Sequence, residues 1–148
     1  MVRHGGLALA KGLLLAWSRQ LGARRERLAV IGFAGQGARL LKAPEVAAGN
    51  LAWLDAVPGG GGTPLAAGID LAEAIMRRLK RRAPALKAAC WLLSDGRFTR
   101  FPRAPARADW CALVDCEQSA VAAGRCRALA KYWGAAYLSA RDVHGERP

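Results

Sequence analysis

Residues 57–82, "VPGGGGTPLAAGIDLAEAIMRRLKRR", decide how the chain is read. A hydrophobe, a proline and four glycines lead through Thr63 and Pro64 into a helical pattern. Thr63 suits a helix N-cap, and Pro64 suits the first helical position. Leu65, Ile69, Ala72, Met76 and Leu79 then fall on one apolar stripe. Asp70, Glu73, Arg77 and Lys80 lie off it, with Glu73 and Arg77 spaced for an i,i+4 pair. A glycine run before such a helix lets the backbone come close to something: a phosphate, a metal ion or its own sheet.

Strands flank the stretch on both sides. Residues 28–35, "LAVIGFAG", and 38–44, "ARLLKAP", are apolar runs separated only by a Gly-Gln-Gly turn. A parallel crossover needs a dozen or more residues, so these two form an antiparallel hairpin, with the second strand stopped at Pro44. Residues 45–56 read as a short helix or irregular segment around Trp53. Downstream, 87–97, "KAACWLLSDGR", is a buried strand ending in a Ser-Asp-Gly turn, and 110–116, "WCALVDC", is another. Residues 119–133 read as a helix capped by Ser119, and 135–138 as a last short strand. Upstream, Leu7, Ala10, Leu14, Trp17 and Leu21 recur at helical spacing, with Lys11, Ser18 and Arg19 off that stripe. Strands alternating with helices of this length specify an α/β fold with a mostly parallel sheet.

Composition narrows the function. The chain has 148 residues, 53% of them hydrophobic, which suits one globular domain and excludes a disordered tail. Its 23 Lys and Arg outweigh 11 Asp and Glu, a formal charge of +12. Such a balance favours acidic partners, nucleic acid among them. Yet the aromatics are not interleaved with the basic residues as a stacking array requires. The densest basic run, Arg77, Arg78, Lys80, Arg81 and Arg82, sits at a helix end, where cations also favour the dipole. It reads first as a solvated face and second as a partner contact.

The four cysteines form no paired C-x-x-C arrangement and read as small buried hydrophobes of a reduced compartment. No apolar run is long enough to span a bilayer, and the expected location is the cytoplasm. Neither glycine segment makes a nucleotide fingerprint. "GGGGTPLAAG" lacks the Lys-Ser/Thr pair of a P-loop, and "GFAGQGARL" lacks the third glycine of a dinucleotide fingerprint and leads into a strand. A metal reading fits better. In open α/β sheets ligands gather at the carboxyl ends of the strands. Thr63 and Asp95 fall there as hard oxygen donors suited to Mg²⁺. The bland alternative is that Thr63 only caps its helix and Asp95 only makes an Asx turn with Gly96.

The segments "RRERLAVIGFAGQGARLLKAP", "GGGGTPLAAGIDLA", "WLLSDGR" and "ALVDCEQSAVAAGRCRALAKYWGAAYLSARDV" together resemble the von Willebrand factor A domain that ends the D subunit of magnesium chelatases. Cobaltochelatase subunits carry a similar domain. The resemblance runs in order across the whole chain. It implies a Rossmann-like, mostly parallel sheet with helices on both faces, one antiparallel edge hairpin, and a metal-ion-dependent adhesion site. Thr63 matches the threonine of that site's second loop, and Asp95 matches the aspartate of its third.

The family's central first strand and its Asp-x-Ser-x-Ser loop have no counterpart here. Residues 1–148 are thus expected to be a single domain of this type, truncated at its amino end. Met1 is read as an internal methionine, with the missing strand encoded upstream. The function implied is a non-catalytic subunit beside an AAA+ ATPase and a chelatase large subunit that inserts Mg²⁺ or Co²⁺ into a tetrapyrrole. Mg²⁺ should bind weakly, and no nucleotide is expected. A basic nucleic-acid-binding module and a nucleotide-binding α/β enzyme are the alternatives.

Overall fold

A computed structural model describes residues 4–35, 37–47, 50–58, 64–118 and 124–143. Helix α1 covers His4–Ala23, and strands β1 (Arg27–Ala34) and β2 (Gly37–Val46) follow. A short 3-10 helix spans Ala52–Ala56, where the sequence suggests a short helix around Trp53. Helix α2 (Leu65–Arg82), strands β3 (Ala89–Ser94) and β4 (Trp110–Asp115), helix α3 (Arg125–Trp133) and strand β5 (Ala136–Ser139) complete the order.

Helix ends are set by local backbone bonding. At the end of α1, Arg25 is left-handed with φ 56°, the Glu26 N–H reaches the Leu21 carbonyl at 2.9 Å, and the Arg25 N–H reaches Gly22 at 3.0 Å. This is a Schellman closure. Helix α3 closes the same way at Gly134, with the Ala135 N–H on the Ala130 carbonyl at 2.8 Å. Helix α2 starts one residue later than its sequence suggests. Pro64 takes the N-cap position, and its carbonyl accepts the Gly68 N–H at 3.3 Å. Thr63, the expected cap, lies outside the described residues, as does Ser119.

The strands form two sheets. β1 and β2 pair as an antiparallel hairpin, and β3, β4 and β5 form a parallel sheet in that order. β2 does not stop at Pro44 but runs through it to Val46. The register shifts between Leu28–Glu45 and Val30–Lys42, so that two β2 residues face one on β1. Proline is tolerated at such a bulge because it owes the ladder no N–H there.

Helices cover both faces, giving a Rossmann-like α/β arrangement. On one face Leu65 and Ile69 of α2 and Cys126, Leu129 and Ala130 of α3 pack on Leu92 and Leu113, with Phe98 in the same cluster. On the other face Ala10, Leu13 and Trp17 of α1 pack on Val114, Cys116, Ala140 and Val143. The buried stripe of α1 thus differs from its sequence reading: Leu13 and Ser18 are buried, while Leu14 is half-exposed. In α2 the expected stripe holds, with Leu65, Ile69 and Met76 buried.

Two helices join the two sheets. α2 touches β1 and β2 as well as Leu92 and Leu113. At Gly68 a Cβ would stand 2.9 Å from the Phe33 ring, so the glycine sets how closely α2 approaches β1. α1 touches β1, and its Trp17 ring lies 4.8 Å from that of Trp91 on β3. Among the described residues no ladder of hydrogen bonds joins β1 to β3. The described strands thus form two sheets with a break between β1 and β3.

Candidate functional site

The parallel strands β3 and β4 end side by side, with Ser94 paired to Asp115. Asp95 follows directly on the first of them, as expected from the Ser-Asp-Gly turn. One Asp95 oxygen accepts the Arg97 N–H at 3.2 Å, and the other lies 3.6 Å from the Arg97 guanidinium. The Asx turn is thus made with Arg97, two residues on, and not with Gly96. The Gly96 N–H instead donates to the Ser94 hydroxyl at 3.1 Å. Gly96 has φ 81°, and a Cβ there would sit 3.3 Å from Arg125, so the turn requires glycine.

A second carboxylate stands one strand over. Asp115 accepts the Tyr137 hydroxyl at 2.7 Å on one oxygen and the Glu117 N–H at 3.0 Å on the other. Burial, then the bond to Asp115, pushes the Tyr137 hydroxyl up to about 12, so it stays a neutral donor. Near the two carboxylates are Cys116 and Cys126, both almost fully buried. Burial first, and then the charges of Asp115 and Asp95, hold both thiols protonated, Cys116 at about 12. These two cysteines fit the reading as small buried hydrophobes.

Arg125 fastens the segment that follows Asp95. Its guanidinium donates to the Phe98 carbonyl at 2.9 Å and the Thr99 carbonyl at 3.0 Å, and lies 4.7 Å from the centre of the Phe101 ring. Trp133 holds the same segment further on, donating to the Pro102 carbonyl at 2.8 Å. The sequence alone does not single out Asp115, Tyr137, Arg97 or Arg125. Asp115 had a signal: "VDC" ends a buried run just as "LSD" does. The partners of the two carboxylates had none.

A divalent cation fits this set poorly. Among the described residues no group of three or more His, Cys, Asp or Glu side chains is placed to hold a metal ion. Asp95 shares its oxygens with Arg97, and Asp115 shares its own with Tyr137 and Glu117. Thr63 and the glycine run at 59–62 lie outside the described residues.

The basic run divides into two sets. Lys80 is tied to Asp109 at 2.7 Å, and Asp109 also accepts the Ala88 N–H at 2.7 Å, which links the end of α2 to the amino ends of β3 and β4. Glu73 pairs with Arg107, through both its guanidinium and its backbone N–H, and not mainly with Arg77 as the helical spacing suggests. Burial raises the Glu73 carboxyl, but the bonds from Arg107 outweigh it and hold it below its usual range, helped by the charge of Arg77. The bond from Lys80, then that from Ala88, lowers Asp109 as well. Arg78, Arg81 and Arg82 remain exposed. Among the described residues no helix is long and apolar enough to cross a membrane.

Two curated proteins are similar to the chain. An uncharacterized protein of Mycobacterium tuberculosis is 32% identical over 161 aligned positions, covering 99% of this chain and 25% of that protein. The magnesium-chelatase 60 kDa subunit of Cereibacter sphaeroides is 38% identical over 92 positions, covering 62% of this chain and 16% of the subunit. The chain therefore spans a quarter or less of the length of these relatives. No protein-family model matches it, and no solved structure matches it. The chain is thus an α/β domain with a partial, distant likeness to a magnesium-chelatase subunit.

Proposed function

We propose that the chain is a non-catalytic adaptor of the von Willebrand factor A type, coupling an AAA+ ATPase to a chelatase large subunit that inserts Mg²⁺ or Co²⁺ into a tetrapyrrole. The observation that carries this reading is the 38% identity to a magnesium-chelatase subunit over 62% of the chain. The element order supports it: an antiparallel hairpin, then parallel strands, with Asp95 at the carboxyl end of β3. In this reading the protein works in the cytoplasm, in tetrapyrrole or cobalamin synthesis, and has no catalytic residue of its own.

Thr63 and Asp95 are the remnants of a metal-bridged docking site. Mg²⁺ binds weakly to them, because a cation that keeps most of its waters gains little from one hydroxyl and one carboxylate already shared with Arg97. Arg78, Arg81 and Arg82 offer an electrostatic contact to an acidic face of the ATPase.

Co-expression with an AAA+ chelatase ATPase from the same genome tests the reading. The chain should co-elute with the ATPase in size-exclusion chromatography in the presence of Mg²⁺, and Asp95→Ala should weaken the complex. A chain that ignores the ATPase but binds DNA or RNA with a steep salt dependence would instead be a nucleic-acid module. Calorimetry with Mg²⁺ alone should show no micromolar binding.

A further inference from the structure

Cys90 and Cys111 are far apart in sequence, but β3 and β4 run parallel with these two residues directly opposite each other. Neighbouring strands lie about 4.8 Å apart, inside the Cα separation that a disulfide spans. Side chains alternate along a strand, so both thiols leave the sheet on the face that carries Leu92 and Leu113. Both are free thiols, and both are only partly buried. Cys116 and Cys126, by contrast, are sealed in the core beside carboxylates.

The two thiols are unequal. The neighbouring Cys111 sulfur, then burial, raises Cys90 above the usual thiol range. The same pairing lowers Cys111, against the opposing effect of its partial burial. Of the two, Cys111 is therefore the one that ionises first, next in sequence to the exposed Trp110.

We propose that Cys90 and Cys111 form a thiol–disulfide exchange pair that reacts with low-molecular-weight disulfides such as oxidised glutathione, with Cys111 as the attacking sulfur and Cys90 as the resolving one. The Cys111 thiolate attacks one glutathione sulfur, forming a mixed disulfide and releasing one glutathione thiolate, which takes up a proton. Cys90 then loses its proton to solvent and attacks the Cys111 sulfur, expelling the second glutathione. Two protein thiols and one oxidised glutathione thus become one cross-strand disulfide and two reduced glutathiones. The link would clamp β3 to β4 near their amino ends, away from Asp95 and Asp115. It stands independently of the adaptor reading.

Exposure of the folded chain to oxidised glutathione, followed by non-reducing peptide mapping, tests the pair. The expected product is a single peptide pair linked through Cys90 and Cys111, with Cys116 and Cys126 still free. Cys90→Ser should stop at one glutathione on Cys111, reversed by dithiothreitol. In Cys111→Ser, Cys90 should react at least roughly tenfold more slowly than Cys111 does in Cys90→Ser. Modification first at Cys116 or Cys126, equal rates at Cys90 and Cys111, or four unchanged thiols in the wild-type chain would overturn the proposal. The wild-type map decides the matter even if a serine variant fails to fold.

Discussion

The two sheets use similar apolar stretches to different effect. In the parallel sheet, β4 is flanked by β3 and β5 and covered by helices on both faces, and its Ala112, Leu113 and Val114 are fully buried. In the hairpin, Val30 is the buried residue of β1, and Leu40 and Val46 of β2 are exposed. "LAVIGFAG" and "CALVDC" look equally strand-like when read alone. Their burial is decided by neighbours: β4 has a strand on each side, whereas among the described residues β1 pairs with β2 alone and meets the rest of the fold through α1 and α2. A strand's place in the sheet, more than its hydrophobicity, sets what it contributes to stability.

The largest effect should come from the better-covered sheet. Leu113→Ala removes a fully buried side chain and should cost about 2–5 kcal/mol in denaturant unfolding. A cost below about 1 kcal/mol would mean that β4 is no better packed than the hairpin. Next comes the join between the sheets. Gly68→Val places methyl groups where even a Cβ would touch Phe33 at 2.9 Å, and overpacking of this kind costs about 1–3 kcal/mol. The loss of packing should show at hairpin resonances before those of β4. If β4 shifts first, the helix does not hold the hairpin as described.

Acid should act on the parallel sheet's side of the molecule. Glu73 and Asp109, which tie α2 to the segment before β4, both titrate below their ordinary range in the folded chain. Their contribution is therefore full above the unfolded carboxylate range, near pH 4, and is lost as pH falls through the lower folded values. Asp109→Asn should be less stable than wild type at pH 7, and the two should converge in acid. A difference that grows on acidification would contradict the ion-pair account. Smallest of all, Leu40→Ser on the exposed side of the hairpin should change stability by no more than about 0.5 kcal/mol in thermal unfolding.

Much of this arrangement was legible in the sequence. The short Gly-Gln-Gly turn forced a hairpin, and the 3.6-residue period in 65–79 predicted the face of α2 that is buried. The Ser-Asp-Gly turn predicted that Asp95 would end a strand. Pro44 misled because its cost depends on a bulge, which exists only once β1 sets the register. Glu73 chose Arg107, 34 positions away, over the near neighbour Arg77, because the 97–109 segment folds back on α2. The facing of Cys90 by Cys111, and of Asp115 by Tyr137, likewise arises from strand order, which local periodicity does not carry. In α1 the apolar residues are dense, and the helical spacing put Leu14 on the buried stripe in place of its neighbour Leu13. Packing against β4 chose Leu13.

The central claim is that the hydrogen-bond ladder breaks between β1 and β3, and that α1 and α2 carry the join. Amide hydrogen exchange followed residue by residue by NMR tests it directly. The account predicts slow exchange at every amide of β4 between Cys111 and Val114. In β1 and β3 it predicts an alternation, with amides turned toward β2 or β4 slow and those turned the other way fast. Uniformly slow exchange along β1 and β3, matching that of β4, would show that the two strands are bridged and would contradict the account.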